Sequence, residues 1–141
     1  LPELEMHTTA YMWRLEESIE AGLKREGLDF ASGMKGLGAV MGTVAALYVM
    51  CDPQDIRAVP MLKSPFHRRA TIFIYECYPG GVGFSEKLYE MHGELLEAAR
   101  GLVRACPCEA GCPSCVGPAM ELGPSGKLST LRIIEMGMGG G

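Results

Sequence analysis

The sequence predicts an α/β (α+β) fold: a small mixed β-sheet of about three strands, covered by helices and closed near the C-terminus by a cysteine-bearing loop. Three observations carry this reading. Ala70-Thr-Ile-Phe-Ile-Tyr-Glu76 is a nearly continuous apolar run, the pattern of a central strand buried on both faces. Residues 84–104 place Leu88, Met91, Leu95, Leu96, Ala99 and Val103 along one side of a long helix. Directly after that helix, four cysteines fall within ten residues, as Cys106-Pro-Cys108-Glu-Ala-Gly-Cys112-Pro-Ser-Cys115.

The other elements follow in chain order. Residues 4–13 carry β-branched and aromatic residues with partial alternation and read as one strand. Residues 14–26 set Leu15, Ile19 and Leu23 at helical spacing, with Gly27 as a stop. Ser32 stands where it can cap the next helix, which runs to about Met50. From Gly36 to Cys51 that helix carries no charge. It is shorter than the roughly 20 apolar residues of a membrane span and is interrupted by Gly38, Gly42 and Thr43, so it reads as a buried helix. Gly38 and Gly42 admit close approach of a neighbour. Cys51-Asp-Pro-Gln-Asp55 is a turn, 56–62 a strand, 63–69 a basic loop, and Tyr78-Pro-Gly-Gly-Val-Gly83 a sharp strand-to-helix turn. A short helix over 127–136 and a flexible glycine-rich tail over 137–141 complete the chain.

A length of 141 residues suits one domain, with an α/β core at 1–105, a knuckle at 106–117 and the last helix and tail at 118–141. The net charge of −4 argues against a molecule-wide electrostatic trap for nucleic acid or an anionic membrane, so any such contact must be local. The N-terminal residues lack the basic and apolar regions of a signal peptide, and a reducing, cytoplasmic setting is expected. Leu1 in place of Met is what a piece of a longer polypeptide would show.

Cysteines so closely spaced make poor disulfide partners but good chelators. Cys106, Cys108, Cys112 and Cys115 suit a tetrahedral zinc ion whose coordination is closed, and therefore structural. An iron–sulfur cluster is the alternative, because such clusters also use cysteine runs with proline nearby. Cys51 and Cys77 stand alone and read as small buried hydrophobes. The turn at 78–83 could offer N–H groups to a phosphate, but Glu86 occupies the third glycine position of a dinucleotide fingerprint. Gly123-Pro-Ser-Gly-Lys127 fails as a phosphate loop, since Glu121 and Leu128 stand at required Gly and Ser/Thr positions. Lys63-Ser-Pro-Phe-His67-Arg68-Arg69 is the densest positive patch; it is either a solvated loop or a contact for the DNA backbone through Lys63, His67, Arg68 and Arg69. His7, His67 and His92 are scattered, and Glu16 and Glu17 suit a solvated helix face, so no catalytic residue is expected.

Three segments taken together, Met50-Cys-Asp-Pro-Gln-Asp-Ile56, Thr71-Ile-Phe-Ile-Tyr-Glu-Cys-Tyr-Pro-Gly-Gly-Val-Gly-Phe84 and Cys106-Pro-Cys-Glu-Ala-Gly-Cys-Pro-Ser-Cys-Val-Gly117, resemble the MrfA-like zinc-binding domain. That family, formerly a domain of unknown function, lies at the C-terminus of a group of DEAD/DEAH-box superfamily 2 helicases. The resemblance spans residues 8–117. It implies zinc on the four cysteines, single-stranded DNA as a partner, RecA-like motor domains in the same polypeptide, and a role in DNA repair. It also implies that this chain, lacking the motor, does not hydrolyse ATP by itself. Many relatives carry histidines early in the central helix; the corresponding stretch here, residues 34–41, has none.

Overall fold

The computed structural model describes the backbone of residues 3–7, and residues 10–64, 68–77 and 83–139 in full. Its sheet has four strands, in the order β1-β2-β4-β3, and every pairing is antiparallel. The α/β class is as expected, with one more strand than expected and, among the described residues, no parallel pair. The extra strand arises in residues 4–13, which form a hairpin of β1 (Glu3–His7) and β2 (Ala10–Arg14) in the register His7↔Ala10 to Glu3↔Arg14. No Gly, Pro, Asn or Asp marks the reversal, so the local pattern reads through it.

β2 also shortens the first helix. Arg14 pairs with Thr71 of β4 (Thr71–Glu76), and the Leu15 N–H donates to the Ala70 carbonyl at 2.8 Å. α1 (Glu17–Arg25) therefore starts after Glu16. Acidic Glu17 and Glu20 lie in its first turn and basic Lys24 and Arg25 in its last, matching the helix dipole. Gly27 ends it as expected: its N–H meets the Lys24 carbonyl and that of Leu28 meets the Leu23 carbonyl, the bonding of a Schellman cap.

α2 (Phe30–Tyr48) is the central post, with Leu37, Val40, Met41, Val44 and Ala45 buried. Ser32 does not cap it. α2 starts two residues earlier, and Ser32 Oγ instead lies within hydrogen-bond distance of both the Asp29 carboxylate and the Leu122 carbonyl, its one proton serving either. After a short 3₁₀ turn (Pro53–Asp55), β3 (Ile56–Met61) returns along α2. The Asp52 carboxylate accepts the Gln54 N–H there at 2.9 Å, ordering the expected turn. β4 is central, as read from its sequence; Ile72 and Ile74 on one face are fully buried, while on the other Thr71 is buried and Phe73 and Tyr75 are half-buried. An antiparallel sheet packed on one side leaves its other face wetter.

The expected long helix at 84–104 is two, α3 (Phe84–Glu90) and α4 (His92–Ala105), separated at Met91 next to Gly93. The break lets α3 lie on β1, β2 and β4 while α4 turns to α2 and α6. A short α5 (Ala119–Leu122) precedes α6 (Gly126–Gly137). Gly137 is not part of a free tail: it closes α6 against Trp13, where a Cβ would fall 2.6 Å from the indole ring.

Close approach explains two glycines of α2. A Cβ at Gly38 would lie 2.8 Å from the Pro60 side chain of β3, as the sequence suggests. One at Gly36 would lie 2.0 Å from Thr130 Oγ1 of α6 and 3.0 Å from Val116. Gly36→Ala is accordingly expected to destabilise the fold by about 1–3 kcal/mol through overpacking. Urea denaturation reads this as a lowered midpoint at unchanged m-value; an unmoved midpoint would contradict the α2–α6 contact.

Candidate metal centre

α4 delivers the first ligand. Its last turn ends at Cys106, whose backbone (φ −71°, ψ 129°) has already left the helix, and Pro107 prevents its continuation. The chain then turns back at Gly111, with φ +141°; a Cβ there would lie 2.8 Å from the Gly117 carbonyl, so only glycine fits. A second limb follows, in which the Cys112 carbonyl accepts N–H bonds from Cys115 at 3.0 Å and Gly117 at 2.9 Å.

These turns bring the Sγ atoms of Cys106, Cys108, Cys112 and Cys115 within 4.8 Å of one another. Cys106 and Cys112 are 3.4 Å apart, Cys108 and Cys115 3.5 Å, and Cys112 and Cys115 3.9 Å. A tetrahedron with Zn–S bonds of about 2.3 Å has sulfur–sulfur edges of about 3.8 Å. The four thiols fit such an ion, and none of them is in a disulfide. Burial pushes the Cys115 thiol up to about 12, against peptide hydrogen bonds at Val116 and Cys112. A dication bound there must displace thiol protons, so loading is coupled to proton release and falls as pH drops.

One contact to this loop has no local signature in the sequence. Lys127, in the first turn of α6, donates from Nζ to the carbonyls of both Cys106 and Cys108, each at 2.6 Å. Its own N–H donates to the Ala110 carbonyl at 3.2 Å.

The basic loop between β3 and β4 divides. Lys63 and Arg68 are exposed. Arg69 is half-buried, its Nε donating to the Leu15 carbonyl at 3.1 Å, and its carbonyl accepts the Ser64 N–H and the Thr71 hydroxyl. His67 and the glycine-rich turn at 78–82 lie outside the described residues. Cys51 and Cys77 are half-buried rather than buried; the Cys51 thiol is held up by burial and by the charges of Asp55 and Asp52.

His92 belongs to the core. Its Nδ1 shares a hydrogen bond with the Tyr11 hydroxyl, and its ring meets Trp13 edge-on, with centroids 5.2 Å apart. Burial lowers its pKa to about 4. Next to it opens a cavity of about 840 Å³ whose rim carries Glu26 and Arg132, an ion pair at 2.8 Å.

The sequence model of the MrfA Zn-binding domain matches residues 37–116. The chain is 33% identical over 135 residues to the uncharacterized ATP-dependent helicase YprA of Bacillus subtilis, a match covering 96% of the chain and 18% of that protein. A 51-residue stretch is 41% identical to an uncharacterized protein of Methanocaldococcus jannaschii, covering 36% of the chain and 46% of that protein. Among solved structures, the DUF1998 helicase MrfA bound to DNA superposes with a TM-score of 0.74 at 31% identity, over 96% of this chain and 18% of that one. The chain thus spans about a fifth of the helicases that it matches.

Two outcomes are expected. Cys112→Ser removes one thiolate, so metal content should fall well below one ion per chain. Structural zinc contributes about 10–16 kcal/mol of apparent binding energy, so melting should drop with it; unchanged metal content and melting would refute the centre. For His92, the folded-state pKa lies below the unfolded value near 6.5. Its neutral form therefore contributes stability that is complete above that value and is lost as pH falls towards about 4. His92→Gln should flatten the stability–pH profile in that window; an unaltered slope in urea melts across the window would count against a buried neutral imidazole.

Proposed function

The chain belongs to the MrfA Zn-binding domain family, and from that premise we propose that it is a non-catalytic zinc-binding accessory domain of an ATP-dependent DNA repair helicase. It stabilises the helicase's C-terminal region and helps to retain or guide single-stranded DNA. The observation that carries this is the four-thiol site in a chain that aligns over nearly its whole length with about a fifth of helicase relatives. The rest of such a polypeptide supplies RecA-like motor domains and with them ATP hydrolysis, in the cytoplasm. In this reading residues 1–141 form one unit, and Cys106, Cys108, Cys112 and Cys115 hold the zinc. A closed thiolate shell leaves no open coordination position, so the ion's contribution is to structure.

DNA contact falls to the loop between β3 and β4. Lys63 and Arg68, both exposed, and His67 suit backbone phosphates, with Arg69 holding the loop to Leu15 while adding its charge. The second reading is a stand-alone, zinc-stabilised module that docks a protein. It is favoured by the Methanocaldococcus relative, a short protein, since 51 residues make up 46% of it.

Elemental analysis separates the metals: one zinc in a colourless protein supports this reading, and iron with visible absorbance would replace it with an iron–sulfur domain. Anisotropy titrations with single-stranded DNA, on the chain alone and joined to its motor, separate guide from docking module. Each lost phosphate contact should lower the slope of log affinity against log salt by about 0.7. Lys63→Ala with Arg68→Ala should therefore weaken binding and make that slope shallower by about 1.4. A slope equal to wild type would return the loop to plain solvation.

A further inference from the structure

We propose that Lys127 is a positioning residue of the metal centre, its ammonium clamping the limb that carries Cys106 and Cys108 and thereby setting how slowly metal leaves. The inference rests on the zinc reading above and adds a part to the site that lies outside the cysteine motif.

The two limbs of the centre are held differently. The second, with Cys112 and Cys115, closes on itself through the bonds of Cys115 and Gly117 to the Cys112 carbonyl. The first has no comparable turn: it leaves the end of α4, Pro107 has no N–H to give, and the Cys106 and Cys108 carbonyls both bond to Lys127 Nζ at 2.6 Å. With the Lys127 N–H on Ala110, one residue of α6 grips three carbonyls between 106 and 110.

The position of Lys127 sharpens the point. A cation in the first turn of a helix opposes the helix dipole, so this lysine is poorly placed to stabilise α6 itself. Its charge sits on the backbone of two of the four ligand cysteines, whose four thiolates with a dication make a net negative complex. The backbone below it is fixed: Gly126 packs on Leu122 and Ser129 and Thr130 are fully buried. A half-buried lysine stem on a rigid helix loses little further freedom when its tip is bound. Partners that orient metal ligands typically change metal affinity about ten- to a hundredfold.

The test is zinc release from the 141-residue chain to an excess of a chromophoric chelator, in wild type, Lys127→Met and Lys127→Arg. The Met variant keeps the stem and loses the charge and donors; it should release zinc about ten- to a hundredfold faster, with Arg recovering most of the difference. Alkylation mapped by mass spectrometry should show Cys106 and Cys108 of the loaded Met variant reacting ahead of Cys112 and Cys115. Should Met prevent folding, Lys127→Gln serves the same comparison. Release at the wild-type rate, or equal acceleration of alkylation at all four cysteines, would overturn the proposal and reduce Lys127 to a helix anchor. Wild-type chain that holds no zinc would sink the zinc reading itself, and this inference with it, so the two failures are told apart by metal content before any variant is compared.

Discussion

The backbone of α2 is pressed between two neighbours at once. On one side β3 lies so near that Gly38 faces Pro60 without room for a methyl group; on another, Gly36 faces Thr130 of α6 and Val116 of the cysteine loop. Dispersion falls steeply with separation, so contacts of this kind exist only while both surfaces are seated. The sheet is held by α2, α6 is held by α2, and the cysteine loop reaches the core through Cys115 and Val116, both buried. The cysteine loop and the last helix are thus tied to the same post.

That arrangement divides the labour along the chain. The buried face of the sheet and α1, α2, α4 and α6 make the scaffold. The cysteine loop leaves the end of α4, where the Cys106 N–H meets the Val103 carbonyl. Charged groups suited to a polyanion sit apart from the scaffold's interior, on the connection between the two strands at the sheet's edge side, and there the charge is not uniform in purpose. Lys63 and Arg68 face water, whereas Arg69 spends its Nε on the Leu15 carbonyl and so secures the loop that presents the other two.

What was legible in the sequence was whatever is written over short spans. The four cysteines are one example, because sulfurs carried within ten residues converge locally. Others are the apolar run of β4, the glycine stop of α1 and the close-approach glycines of α2. What escaped depends on partners far away or on signals that are absent. The hairpin of β1 and β2 reverses without a turn-forming residue. The break at Met91 is hidden because the apolar spacing of 84–104 runs straight through it, and only packing of α3 on the sheet demands the change of direction. Lys127 meets the carbonyls of Cys106 and Cys108 across 21 and 19 residues, and its local sequence resembles only a failed phosphate loop. Ser32 likewise reaches, beside the Asp29 carboxylate at the helix start, the Leu122 carbonyl 90 residues on.

The chain's single tryptophan stands where several of these elements converge. Trp13 is fully buried in β2, meets the imidazole of His92 from α4, and is covered by Gly137 at the end of α6. Its fluorescence is therefore an intrinsic optical reporter of how the last helix is docked. The far end of that same helix carries the lysine that grips the cysteine loop, so undocking caused at one end can be watched by its emission at the other. The protein comes with its own gauge for the integrity of its C-terminal closure, and no label has to be introduced to read it.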